Sequence, residues 1–271
     1  MRGNWFALTL HPNSILMPEL PDLAVMAKNL EKRLINHTIK GLTLHVDRKN
    51  NVPESEMQAT LVGHKVKSIK RVGKELHLNI GDNVLGLHLM LHGELKLVDA
   101  GEEVKFPILT LDFQNETLYL TDWQKSATPT LNPEPSTVTD ALDVEAGWFE
   151  SILAKKKTDI KSVLLDQKVI RGIGNTYADE ILYEAGISPL SIANSIPAKE
   201  VKVLVKSIHS VLLDEIENIS KEDPDRITGE NKDFLKIHLP KTKETIKGEE
   251  IIVDKKGSRK TYYVASQTLY K

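Results

Sequence analysis

Three short stretches of this sequence carry residue types whose spacing could do chemistry. The first is Met17-Pro18-Glu19, within ILMPELPDLAVMAKNL at 15–30. Inside a chain, the Pro18 nitrogen is a tertiary amide with no free lone pair. At the start of a chain it is a secondary amine and therefore a nucleophile. The bland alternative is a helix start, with Glu19 as a first-turn carboxylate. The second stretch is Gly172-Ile173-Gly174-Asn175 in DQKVIRGIGNTYADEILYEAG. Its glycines permit torsions that expose consecutive N–H groups, and Asn175 is expected at the N-cap of the next helix. Such a turn can hold a phosphate, or it can be a plain helix–turn–helix corner. A dinucleotide site is disfavoured, because the glycines follow a helix and not a strand. The third is a pair of basic strips, HKVKSIKRVGK (64–74) and KKGSRK (255–260). Each could bind phosphates or be a solvated strand face.

Composition narrows the choices. The 271 residues contain no cysteine, which removes disulfides, a thiol nucleophile and any thiolate zinc site. A net charge of −2 gives no global pull towards nucleic acid, so any such binding must come from local strips. No apolar run approaches the ~20 residues of a membrane helix. The opening MRGNWFALTLHPNSIL has too short an apolar part and no small-residue cleavage site, so a cytoplasmic protein is expected.

The elements that must position these residues follow from periodicity. Leu23, Met26, Leu30 and Leu34 predict a helix over 20–35, with Pro21 in its first turn. From 39 to about 122 the pattern alternates in many short runs, which predicts a β-sandwich. A Pro/Thr/Ser-rich stretch at 126–140 reads as a linker. Helical periodicity follows in GWFESILAKK, DIKSVLLDQ, NTYADEILYEAG and AKEVKVLVKSIHSVLLDEIENIS. A second linker is read at 222–233, and EEIIVDKKGSRKTYYVAS predicts a hairpin turning at Lys255-Lys256-Gly257. The fold class expected is α+β.

Four segments together resemble the formamidopyrimidine-DNA glycosylase/endonuclease VIII family. MPELPDLAV resembles its amino terminus, and KRVGKELHL (70–78) its strand with a phosphate-contacting lysine. DQKVIRGIGNTYADEILYEAGISPL resembles its helix–two-turn–helix, and GSRKTYYVASQ (257–267) its C-terminal finger. They occur in family order across 17–267. The resemblance implies a nucleophilic N-terminal proline, Pro18, which attacks C1′ of a damaged deoxynucleotide and forms an iminium. Glu19 would be the general acid at the ring-opened sugar, and Lys74 the active-site lysine near the lesion phosphate. Asn175 would hold a backbone phosphate at the Gly172–Gly174 turn, and Arg259 would grip phosphates near the extruded nucleotide. This role for Pro18 requires a functional chain that starts there, by initiation at Met17 or by removal of 1–16. If Pro18 stays acylated, an internal lysine such as Lys74 becomes the candidate amine.

The chain departs from the family pattern in four places. Where many members carry four zinc-binding cysteines, it has Glu244, Lys247, Val264 and Gln267. A zincless finger held by Ile251, Val253, Tyr262 and Val264 is expected, with no metal and no cofactor. The base-replacing wedge falls on Leu91. The Arg-Arg-Phe run of oxidised-purine enzymes is replaced by Gln124-Lys125-Ser126, in which Lys125 can still meet a phosphate but Ser126 cannot stack. The segment before the finger is short as well. These departures lean towards oxidised pyrimidines and equally permit weak lesion discrimination.

The expected organisation is an extension (1–16), an N-terminal catalytic β-sandwich with a flanking helix (17–135), a central helix–two-turn–helix bundle (136–232) and a zincless β-hairpin finger (233–271). The leading expectation is a monomeric DNA glycosylase/lyase acting on damaged double-stranded DNA. A catalytically silent DNA-binding or lesion-sensing protein of the same fold stands beside it. A structural RNA-binding helix–turn–helix protein would explain the helical middle but not the amino-terminal segment.

Overall fold

A computed structural model describes residues 17–256 and 259–271, so the 1–16 extension and the Gly257-Ser258 tip lie outside the described residues. The first element, α1 (Leu20–Leu34), forms where the apolar spacing predicted it. Leu23, Met26, Leu30 and Leu34 are all buried along one face. A capping box starts it, with the Glu19 N–H donating to the Asp22 carboxylate at 3.2 Å.

Two antiparallel four-stranded sheets follow. One has the order β1-β6-β7-β5, built from Gly41–Leu44, Pro107–Asp112, Glu116–Thr121 and Glu94–Asp99. The other is β2-β3-β4-β8, from Val66–Val72, Glu75–Ile80, Asn83–His88 and Thr128–Leu131. Alternate residues of the two inner faces, such as Leu76, Leu78, Leu85 and Leu87 against Leu109, Leu111, Leu118 and Leu120, share one core with α1. This is the sandwich that the alternation implied.

Three local expectations were incomplete. A helix, α2 (Glu54–Leu61), interrupts the strand region. Its good helix formers bury only Met57 and Leu61, four residues apart, which is too sparse a stripe to stand out among strand runs. The supposed linker at 126–140 contains β8, whose Pro129 is tolerated because β8 is an edge strand. The stretch 222–233 packs on α1: the Asn231 N–H donates to Asp22 at 2.9 Å, and Asn29 donates to the Arg226 carbonyl at 2.9 Å.

The helical part comprises α3 (Ala146–Leu153), α4 (Ile160–Leu165), α5 (Asn175–Glu184) and α6 (Ala198–Glu222). These surround a second core that includes Phe149, Leu164, Ile173, Tyr177, Ile181, Leu204 and Leu212, and Leu20 of α1 belongs to it. The first residue of α1 is thus packed into the helical half while the rest of that helix packs on the sandwich. A hairpin of β9 (Ile252–Lys256) and β10 (Arg259–Tyr263) ends the fold. Among the described residues no helix is long and apolar enough to cross a membrane.

Candidate active site

Glu19 is the joint between the two halves. Its side chain is buried and caps the start of α5: the Thr176 N–H donates to Oε1 at 3.0 Å and the Tyr177 N–H to Oε2 at 3.4 Å. A carboxylate at a helix N-terminus meets both free N–H groups and the positive end of the dipole. The two glycines make room for it. A Cβ on Gly174 would lie 2.2 Å from Glu19 Cδ and 2.4 Å from both carboxylate oxygens. Gly172 has φ +103°, and a Cβ there would meet Leu20 Cδ1 at 2.6 Å. The N-cap expectation for Asn175 is corrected, because Asn175 is the first helical residue and Gly174 precedes the helix. The anion at this helix end is the chain's own carboxylate, from a residue 157 positions away. Pro18, next to Glu19 in the chain, is buried as well.

Lys74 lies in the two-residue turn Gly73-Lys74 that joins β2 to β3, where Val72 pairs with Glu75. Gly73 has φ +60°, which suits a tight hairpin turn. A largely buried bidentate pair fixes this turn to the helical half. Arg71 donates to both Asp140 oxygens at 2.8 Å, and the Gly73 N–H reaches Asp140 at 3.3 Å. Burial alone would raise the Asp140 pKa, but the Arg71 contacts outweigh it and hold the carboxyl below its usual range. At Lys74, burial lowers the ammonium pKa, the Glu19 carboxylate opposes that, and Arg259 adds to the lowering. Glu19 and Arg259 therefore both lie within electrostatic reach of Lys74. A cleft of about 680 Å³ opens beside the turn, lined by Lys74, Glu75, His88, Gln167 and Arg171 among others.

The finger is docked by charge and packing. Lys161 on α4 and Asp179 on α5 form a buried ion pair at 2.7 Å. The other Asp179 oxygen meets His238 Nδ1 at 2.8 Å and accepts the Tyr262 N–H of β10 at 3.1 Å. Lys161 also donates to the Lys260 carbonyl at 3.1 Å and to Thr261 Oγ1 at 3.0 Å. Asn175 Nδ2 donates to that same Lys260 carbonyl at 3.1 Å, so the turn residue and the finger are tied together. Arg259 opens β10 one residue earlier and is exposed. The finger core is Ile237, Ile251, Tyr262 and Val264. The expectation for Val253 is corrected: it is 50% exposed, and Ile237 from the preceding segment fills its place.

The positions matching the missing cysteines make structural contacts. Glu244 forms an isolated antiparallel backbone bridge with Glu250, the Lys247 N–H reaches Thr245 Oγ1 at 3.3 Å, and Gln267 accepts the Val264 N–H at 2.9 Å while donating to the Ile187 carbonyl at 2.8 Å. Among the described residues no three His, Cys, Asp or Glu side chains are grouped to hold a metal.

Leu91 and Lys125 lie in two loops at the Lys74 end of the β2-β3-β4-β8 sheet. Glu75 pairs with His88, and His88 with Thr128, so the Lys74 turn, the 89–93 turn and the 122–127 loop leave neighbouring strand ends. Leu91 is 38% exposed and Lys125 is exposed. Sequence reading missed Asp140, Lys161, Asp179 and His238. Their partners are remote in sequence, 59 and 83 positions away for two of the Asp179 contacts, and no local spacing encodes them.

The comparisons with known proteins bear on this arrangement. Residues 17–128 match the model of the formamidopyrimidine-DNA glycosylase N-terminal domain, and residues 131–224 match that family's H2TH domain. A formamidopyrimidine-DNA glycosylase of Enterobacter sp. is 32% identical, over 91% of this chain and 98% of its own. One from Carboxydothermus hydrogenoformans is 29% identical over the same shares. The Lactococcus lactis Fpg in complex with Fapy-dG-containing DNA superposes with a TM-score of 0.81 at 27% identity, covering 91% of this chain and 98% of that one. The Lactococcus lactis Fpg bound to abasic-site DNA superposes equally well, with a TM-score of 0.81 at 25% identity, covering 91% and 97%. With both family models in tandem and relatives matched over nearly their whole length, the chain belongs to the formamidopyrimidine-DNA glycosylase family.

Proposed function

We propose that the chain is a bifunctional DNA glycosylase and abasic-site lyase acting as a monomer on damaged double-stranded DNA. Pro18 is the nucleophile, Glu19 the proton donor at the sugar, and Lys74, Asn175 and Arg259 the phosphate contacts. The observation that carries this reading is Glu19, buried next to Pro18 and seated on the Gly172–Asn175 turn, with Asn175 tied to the finger beside Arg259 and with Lys74 within reach of the Glu19 charge. Lactococcus lactis relatives of the same fold are recorded with Fapy-dG and abasic-site DNA, which supports this substrate class.

The chemistry follows from a free Pro18 amine. Its nitrogen bonds to C1′, and the damaged base leaves with the electron pair of the broken N-glycosyl bond. Glu19 gives a proton to the sugar ring oxygen as the ring opens, leaving an iminium between Pro18 and C1′. The iminium accepts the electrons of the adjacent C–H bond as its proton is removed, and the neighbouring phosphate then departs. The nucleotide must leave the base stack for the amine to reach it. The Gln124-Lys125-Ser126 loop and the short segment before the finger lean towards oxidised pyrimidines and equally permit weak lesion discrimination, while the Fapy-dG complex of the Lactococcus lactis relative is with a purine lesion.

The test is borohydride trapping on abasic-site DNA with protein that begins at Pro18. A covalent adduct mapping to the Pro18 nitrogen is expected, and no adduct would refute the enzyme reading. A second reading, a DNA-binding protein without catalysis, is favoured by Met17 standing before Pro18 in this sequence, since an acylated proline forms no iminium. It predicts tight DNA binding with no trapping by the Met1-initiated chain.

A further inference from the structure

We propose that Trp123, backed by His92, is a base-stacking residue for DNA at the lesion. The assignment rests on the DNA-glycosylase reading above. Trp123 is 59% exposed, a large apolar surface left in water. Its ring packs on His92, with centroids 4.9 Å apart and planes 46° to one another. The indole is thereby braced by the imidazole while much of its side chain remains open.

Both loops that carry the pair are fixed. Asp122 is buried and accepts N–H groups from Gln124 at 2.7 Å, Ser126 at 2.7 Å and Ala127 at 2.8 Å. On the other side the Gly93 N–H donates to the Leu89 carbonyl at 2.8 Å, and a Cβ on Gly93 would lie 2.2 Å from that oxygen. Met90 and Lys125 both hold positive φ, +56° each, in these same loops. Non-glycine residues adopt such torsions at a cost, and they persist where the surroundings fix them. The aromatic pair is therefore presented by ordered backbone.

Its position and charge setting select the occupant. The pair sits at the sheet end that also carries Lys74, with Lys125 two residues from Trp123. An aromatic face beside cations fits an unstacked base with its phosphates. In a duplex such a face becomes available where a base has lost its partner.

The experiment reads Trp123 directly. The chain has three tryptophans, so Trp5→Phe with Trp148→Phe leaves Trp123 as the single emitter. Titration with abasic-site duplex is expected to quench its emission, and undamaged duplex to leave it largely unchanged. Trp123→Ala should weaken abasic-site binding by about tenfold, within the range of one aromatic–base stack, with little effect on undamaged duplex. Trp123→Phe should restore most of the loss. Binding of abasic-site DNA with unchanged emission, or an equal loss on both DNAs, would overturn the assignment. If the parent protein binds neither DNA, the DNA reading itself fails and this assignment falls with it.

Discussion

Gly174→Ala isolates the Glu19 joint better than any change to Glu19 itself. The backbone at Gly174 has φ −115° and ψ −168°, which alanine adopts freely, so the substitution adds no torsional strain. What it adds is a methyl group 2.2 Å from Glu19 Cδ, where carbon atoms ordinarily sit about 3.5 Å apart. Either the carboxylate or the turn must retreat by about 1 Å. Loss of the cap on α5 should cost about 1–2 kcal/mol, seen as a Tm lower by roughly 2–8 °C. The larger effect should be on chemistry, because a group misplaced by about 1 Å can lose on the order of 100-fold in rate. In single-turnover cleavage of abasic-site DNA by Pro18-initiated protein, we expect a fall of that order with binding retained. A variant with the parent's rate and Tm would show that Glu19 is not positioned by α5, and the account of the joint would fail.

Two further expectations concern charge. Arg259→Ala should weaken binding to damaged and undamaged duplex alike and flatten the plot of log affinity against log salt by about one, whereas Asn175→Ala, which removes no charge, should lower affinity and leave the slope unchanged; an unaltered slope for Arg259→Ala would place it away from the DNA. Burial pushes Asp22 and Glu215 up to about 7 and Glu230 up to about 8, so the folded chain holds protons that unfolded carboxyls release near pH 4. Their contribution to stability is fully present below about pH 4 and is lost as pH rises through about 7 to 8. Tm should accordingly fall between pH 6 and 8.5, and Glu230→Gln, which cannot titrate, should flatten the decline; a Tm that rises over that interval would contradict the burial of these groups.

The sequence made the periodic parts of the fold legible. Leu23, Met26, Leu30 and Leu34 announced α1, and the alternation in ELHLNI announced β3 with Leu76, Leu78 and Ile80 inside. It did not disclose α2, whose two buried residues are too few to form a stripe, or β8, whose proline reads as a linker until the edge position is known. At the site, the residue types were legible and their contacts were not. Gly174 could be recognised as a turn glycine, but the group that needs the space belongs to Glu19. Val253 alternates like a core residue and pairs with the buried Tyr262, yet it stays half exposed, and Ile237 from the preceding segment completes the core instead. The Lys161–Asp179–His238 set joins segments remote in sequence, and only folding brings them together.

The way the finger is docked has a consequence for the conditions in which the protein can work. Zinc fingers built on thiolates lose their metal when peroxide oxidises the sulfur. This finger is seated by an ammonium–carboxylate pair, an imidazole, a glutamine and four apolar side chains, and the whole chain has no cysteine. None of those groups is a target at doses that sulfenylate a thiolate. The oxidants that damage DNA bases would thus leave the finger seated, and zinc starvation would be equally without effect on it. A repair enzyme with such a finger can stay at work during the chemical stress that creates its substrate.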